Sequence, residues 1–202
     1  MFYSKSKWIL VGLLAAIVDL SSAHPAGQPP STPKYPTTAK ATLNAKGFEA
    51  VFTFLLLHSG TSLTSLHITG YATVPFPLTG VHLTYSGVPD GQDFDYSIHE
   101  KPIAHGDEIE CKDVGDLWNP TKSTYKGSDE FKCKPEQPAY CESGNLSGKH
   151  RKLKHIPDSN SNYFDPSLRF GYSELGIFGK SIVVYDPTGT PVTCATIVPH
   201  DP

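Results

Sequence analysis

Nine histidines and four cysteines are the side chains of this 202-residue protein that could hold a transition metal, carry a proton or cross-link the chain. His99 lies in GQDFDYSIHEKP at 91–102, two positions after Ser97. The remaining histidines, His58, His67, His82, His105, His150, His155 and His200, follow no regular spacing. Only folding decides whether His105 or His150 comes near His99. Without partners, His99 reads as a buried or half-buried polar residue, hydrogen-bonded inside a barrel mouth. Cleavage after Ala23 would leave His24 at the amino terminus, where amine and ring together can chelate copper, but the proline-rich segment that follows positions no second histidine beside it.

Two surface features carry other chemistry. KHRKLKH at 149–155 gathers four basic residues and two histidines, enough charge to hold an anionic glycan, a lipid headgroup or nucleic acid. In a chain of formal net charge −3 the favoured reading is a solvated loop, with no specific nucleic-acid partner. Asn145-Leu146-Ser147 is an N-glycosylation acceptor sequence, and a glycan there would be a bulky surface group. Four cysteines in an exported chain imply two disulfides with three possible connectivities. A thiolate metal site is the weaker reading, because no Cys-x-x-Cys pair occurs.

The elements that must position these groups follow from patterning. Residues 1–23 carry Lys5 and Lys7, the apolar run WILVGLLAAIV and the small residues Ser21, Ser22 and Ala23, the layout of a signal peptide too short to span a membrane. Residues 24–40 are rich in proline and threonine and read as a flexible lead-in, leaving 41–202 as one domain. No anchor signal is read at the carboxyl end, so the expected product is secreted and extracellular. FEAVFTF at 48–54 puts Phe48, Ala50, Phe52 and Phe54 on one face, and VHLTY at 81–85 does the same for Val81, Leu83 and Tyr85. Both patterns predict half-buried strands. Asp186-Pro187-Thr188-Gly189 is a turn between SIVVY and VTCATIV, which predicts a hairpin. No stretch shows sustained helical amphipathicity, so the fold class is all-β.

The segment 91–102 resembles the copper-binding strand of the copper/zinc superoxide dismutases, in which histidines alternate as His-x-His. The resemblance runs from about Lys40 to Val198. CKDVGDLWNP at 111–120 is similar to the loop that carries the bridging histidine, where this chain has Asp116. YCESGNLSGKH at 140–150 looks like the CEVGDLSGKHG run of the secreted, copper-only fungal branch, with Asn145 in place of a zinc-type aspartate. Glu142 stands where two-metal enzymes carry histidine. KSIVVYDPTGTPVTCATIV at 180–198 resembles the closing hairpin, with Tyr185 in place of a copper-ligating histidine and Pro191 in place of the active-site arginine.

The resemblance implies an eight-stranded Greek-key β-barrel or sandwich with long irregular loops over 105–178. It selects the pairs Cys111–Cys194 and Cys133–Cys141, worth about 4.5 and about 2.5 kcal/mol by loop-closure entropy. It also implies that His99 is the only retained copper-ligand position, with Asp116 a weak metal candidate and Ser97, Glu142, Asn145 and Tyr185 replaced ligand positions. Copper that cycles between oxidation states needs an imidazole-rich set, and a proline cannot steer an anion as arginine does. The expected function is therefore that of a secreted, catalytically degenerate protein with no cofactor, acting by binding an unidentified partner at the cell wall or a host surface. The alternative is an extracellular dismutase that holds copper or zinc through altered coordination.

Overall fold

The computed structural model describes residues 36–58, 77–122, 132–155 and 159–200. The expected leader, His24, His67 and the lead-in up to residue 35 lie outside the described residues. Nine strands are described: β1 Thr38–Ala45, β2 Phe48–Leu57, β3 Leu78–Ser86, β4 Asp93–His99, β5 Leu153–Lys154, β6 Ser159–Asp165, β7 Ser181–Tyr185, β8 Pro191–Thr196 and β9 Val198–Pro199. One five-residue helix, α1, spans Leu146–His150. The strands form two antiparallel sheets, ordered β6-β3-β2-β1-β9 and β5-β4-β7-β8. The expected all-β sandwich is therefore present, with nine strands described where eight were expected, seven of them longer than the two-residue edge pieces β5 and β9.

Alternation builds the core as the sequence pattern requires. Phe48, Ala50, Phe52 and Phe54 all point inward, joined by Leu43, Val81 and Leu83 from the flanking strands. Phe94, Tyr96 and Ile98 of β4 meet them from the opposite sheet with Ile182 and Val184. Phe48 and Phe94 sit 5.8 Å apart between ring centroids, and Phe52 and Tyr96 5.5 Å, tilted in each case.

Turn chemistry sets the registers. Ala45 pairs with Phe48, so Lys46 and Gly47 form a two-residue connection in which both have positive φ, as a twisted hairpin of this length demands. Between β7 and β8, Asp186 Oδ1 accepts from Thr188 N at 2.8 Å and Thr190 N at 3.0 Å, closing the predicted hairpin. The domain boundary expected at residue 41 falls too late. Ala39 is wholly buried and pairs with Phe54, so strand pairing reaches back into the segment read as lead-in.

Two disulfides, Cys111–Cys194 and Cys133–Cys141, join the expected partners. Among the described residues no helix is long and apolar enough to cross a membrane.

Candidate functional site

β4 separates two environments by its pleat. Phe94, Tyr96 and Ile98 enter the core, while Asp95, Ser97 and His99 face the other way and are half-buried. The outer face of the four-stranded sheet is covered by the segment that follows β4. Lys101 N donates to Val114 O at 2.8 Å, Ile103 N to Thr196 Oγ1 at 2.9 Å, and Cys194 N to Glu108 O at 3.0 Å. The Cys111–Cys194 bond packs there with Val183, Ile103, Val114 and Tyr185. His99 thus sits on the outside of a sheet, under a disulfide-clamped loop, and not inside a barrel mouth.

Three of the sequence-predicted positions converge. Tyr185 Oη lies 2.7 Å from His99 Nε2, and Ser97 Oγ lies 3.1 Å from the same nitrogen. His99 Nδ1 lies 2.9 Å from Gly115 O. A carbonyl can only accept, so Nδ1 carries the hydrogen and Nε2 offers the lone pair in the neutral ring. Tyr185 then donates to Nε2. A register shift between Val184 and Tyr185 marks an irregularity where β7 meets β8, at the residue whose side chain reaches His99. Burial raises the Tyr185 phenol above its ordinary pKa and outweighs the opposing hydrogen bond from Ser97, so the hydroxyl is neutral.

Asp116 does not join this group. Its side chain is exposed, and what it contributes is its backbone carbonyl, which accepts from Glu100 N at 3.1 Å. Pro191 pairs with Tyr185 across the hairpin, and its carbonyl accepts from Lys46 Nζ at 3.4 Å. A proline at the first residue of a strand is tolerated because its missing N–H is not needed there.

Glu142 and Asn145 are committed to each other. Asn145 caps α1, its Oδ1 accepting from Gly148 N at 3.1 Å while its Nδ2 donates to Glu142 Oε2 at 3.3 Å. Ser147 of the same acceptor sequence donates to Asp95 Oδ1 at 3.0 Å. A glycan on Nδ2 would replace one of its two hydrogens, beside Glu142 Oε2. This segment is locked to β4 by a closed ring of backbone bonds: Ile98 N to Gly144 O, 2.8 Å; Gly144 N to Trp118 O, 2.7 Å; Trp118 N to Ile98 O, 2.9 Å. A Cβ on Gly144 would lie 2.4 Å from Ile98 O, so only glycine fits the junction. The sequence reading did not single out Gly144 or the carbonyl of Gly115, since a backbone contact leaves no side-chain signature.

The basic run divides: Arg151, Lys152, Lys154 and His155 are exposed, as a solvated loop would have them, whereas Lys149 is buried and His150 half-buried. Lys149 is 4% exposed and its Nζ lies 2.6 Å from Asp165 Oδ2, 2.7 Å from Ser143 O and 2.8 Å from Ser167 Oγ. His150 Nε2 meets the same Asp165 oxygen at 2.9 Å, and its ring stacks on Tyr163 at 3.9 Å. Lys152 pairs with Asp95 at 2.7 Å and Lys154 with Asp93 at 3.8 Å. His155 Nδ1 is 2.8 Å from Val88 O. The run reads as charged in sequence because its carboxylate partners lie on β4 and β6, remote along the chain.

The convergent donors are one imidazole and two neutral hydroxyls, with the imidazole lone pair already engaged by a phenol. That set does not fit a copper ion that alternates between oxidation states, which takes nitrogen and sulfur donors. The oxygen trio of Asp116, Glu142 and Asn145 is not assembled either, because Asp116 is exposed and Asn145 Oδ1 is spent on the helix cap. Among the described residues no three His, Cys, Asp or Glu side chains are grouped so as to hold a metal.

No protein-family model matches the chain. It is 35% identical over 119 residues to cell surface superoxide dismutase [Cu-Zn] 6 of Candida albicans, a match covering 58% of this chain and 35% of that protein. The chain thus spans about a third of the length of that curated relative. Among solved structures, Candida albicans superoxide dismutase 5 in its Cu(II) form superposes with a TM-score of 0.61 at 23% identity, covering 83% of this chain and 94% of that one. The clock protein EA4 superposes with a TM-score of 0.58 at 17% identity, covering 83% and 97%.

Proposed function

We propose that this superoxide dismutase-like chain is an exported, catalytically degenerate member of its kind that acts by binding at an extracellular surface. The observation that carries the reading is the Tyr185–His99 hydrogen bond. It fills, with a neutral phenol, the position where the resemblance implies a second imidazole. Dismutation requires a centre that accepts and returns one electron in each cycle, and a redox metal needs several nitrogen donors to do so. Here the loops around the former centre are held by other means: the backbone ring through Gly144, the Cys111–Cys194 bond, and the cap at Asn145. A fold organised without a metal can lose the metal's ligands and keep its shape. The fungal cell-surface relative and the leader-like residues 1–23 support an extracellular setting, the cell wall or a host surface being the partner class.

The test is dismutase turnover after reconstitution. The mature chain, equilibrated with copper and desalted, should disproportionate superoxide no faster than the His99→Ala variant, while binding to cell-wall material survives in both. Rapid turnover that His99→Ala abolishes would overturn the reading.

A further inference from the structure

We propose that Tyr185 is a one-electron donor to peroxyl and hydroperoxyl radicals, with His99 as the acceptor of its proton. The inference needs no metal and goes beyond the binding role. A phenol gives up an electron readily only if its proton can leave with it, because the alternatives put a charge where it is poorly solvated. A phenolate formed beforehand is disfavoured at this half-buried position, and a phenol radical cation is disfavoured for the same reason. A base in line with the O–H bond removes both obstacles. His99 Nε2 is such a base, 2.7 Å from Tyr185 Oη, with its lone pair directed by the Nδ1 bond to Gly115 O. The phenol of Tyr85, by contrast, accepts from Lys154 N, and that contact offers no site for its proton.

A peroxyl radical takes one electron from Tyr185 and becomes a peroxide anion. The Tyr185 O–H bond breaks, its proton passes to His99 Nε2, and a neutral phenoxyl radical faces an imidazolium. The imidazolium then releases a proton that ends on the peroxide, yielding a hydroperoxide and the neutral ring. One electron leaves per chain. Ser97 Oγ, 3.1 Å from Nε2, is placed to hold the imidazolium while it lasts.

The probe is hexachloroiridate(IV), a one-electron oxidant, mixed rapidly with the chelator-treated full chain and followed by freeze-quench electron paramagnetic resonance. The wild type should give a tyrosyl radical early, and Tyr185→Phe should lose that early signal. Tyr172→Phe, which alters a 74% exposed tyrosine, should retain it. His99→Gln should slow oxidation about a hundredfold, the low end of what a positioned base contributes, and abolish the solvent isotope effect. An early radical that persists in Tyr185→Phe, or a rate unchanged in His99→Gln, would overturn the proposal. Circular dichroism of each variant separates these outcomes from loss of fold.

Discussion

Tyr185 donates its phenolic hydrogen to Nε2 of His99 across 2.7 Å, while the Gly115 carbonyl takes the hydrogen of the other ring nitrogen at 2.9 Å. Both nitrogens are therefore used, and the ring is fixed in one tautomer between a strand and a loop. A cation that approached Nε2 would first have to displace the phenol.

Removing that hydroxyl should be mild. Tyr185→Phe keeps the ring against the Cys111–Cys194 bond and leaves Ser97 Oγ within reach of Nε2. The expected loss is about 1 kcal/mol, the net worth of one hydrogen bond. Urea unfolding measures it, and a loss several times larger would mean the pair organises the loop as a whole.

The buried cluster on β6 makes a pH prediction. Burial by itself would raise the Asp165 carboxyl, but the His150 bond, the Lys149 charge and the Ser167 bond overcome it and hold its pKa below the ordinary aspartate range. A depressed carboxyl adds stability that is complete above the unfolded value and is lost as pH falls below about 4, by at most about 1.4 kcal/mol per pH unit. Asp165→Asn should remove this part of the acid sensitivity. It should also cost about 3 to 5 kcal/mol at neutral pH, because it strands the buried Lys149. Urea midpoints across pH 2.5 to 7, an acid range set by that carboxyl, test both; an unchanged slope in the variant would contradict the assignment.

The two-fold alternation in FEAVFTF and VHLTY was enough to read the core, because a half-buried strand writes its burial directly into side-chain type. The Asp186 turn was legible for a similar reason, its carboxylate bonding only to residues within four positions. The site was legible in part. That Ser97, His99 and Tyr185 belong together followed from the resemblance, and their side chains do meet. That Asp116 stands apart was not readable, since a backbone carbonyl does its work. The buried state of Lys149 was hidden because its partner Asp165 is sixteen positions away, and charge in a local window says nothing about distant compensation. Helix α1 left one faint sign, Asn145 at its cap, which the glycosylation pattern overshadowed.

The cap makes a further prediction. Asn145→Ser keeps an acceptor for Gly148 N without setting a second carboxylate against Glu142, and should leave stability nearly unchanged, since the two residues cap equally well. Asn145→Ala should cost about 1 kcal/mol. Thermal unfolding of both variants, made without glycosylation, is the check; equal losses would show that the bond to Glu142 Oε2, not the cap, holds this turn.

We propose that the hydrogen-bonded phenol of Tyr185 and imidazole of His99 stand where the resemblance implies copper ligands. Equilibrium Cu(II) titration of the mature chain, with elemental analysis after desalting, tests it most directly. Wild type should retain far less than one copper per chain, and Ser97→His combined with Tyr185→His should retain close to one. Stoichiometric copper in the wild type, lost in His99→Ala, would contradict the account.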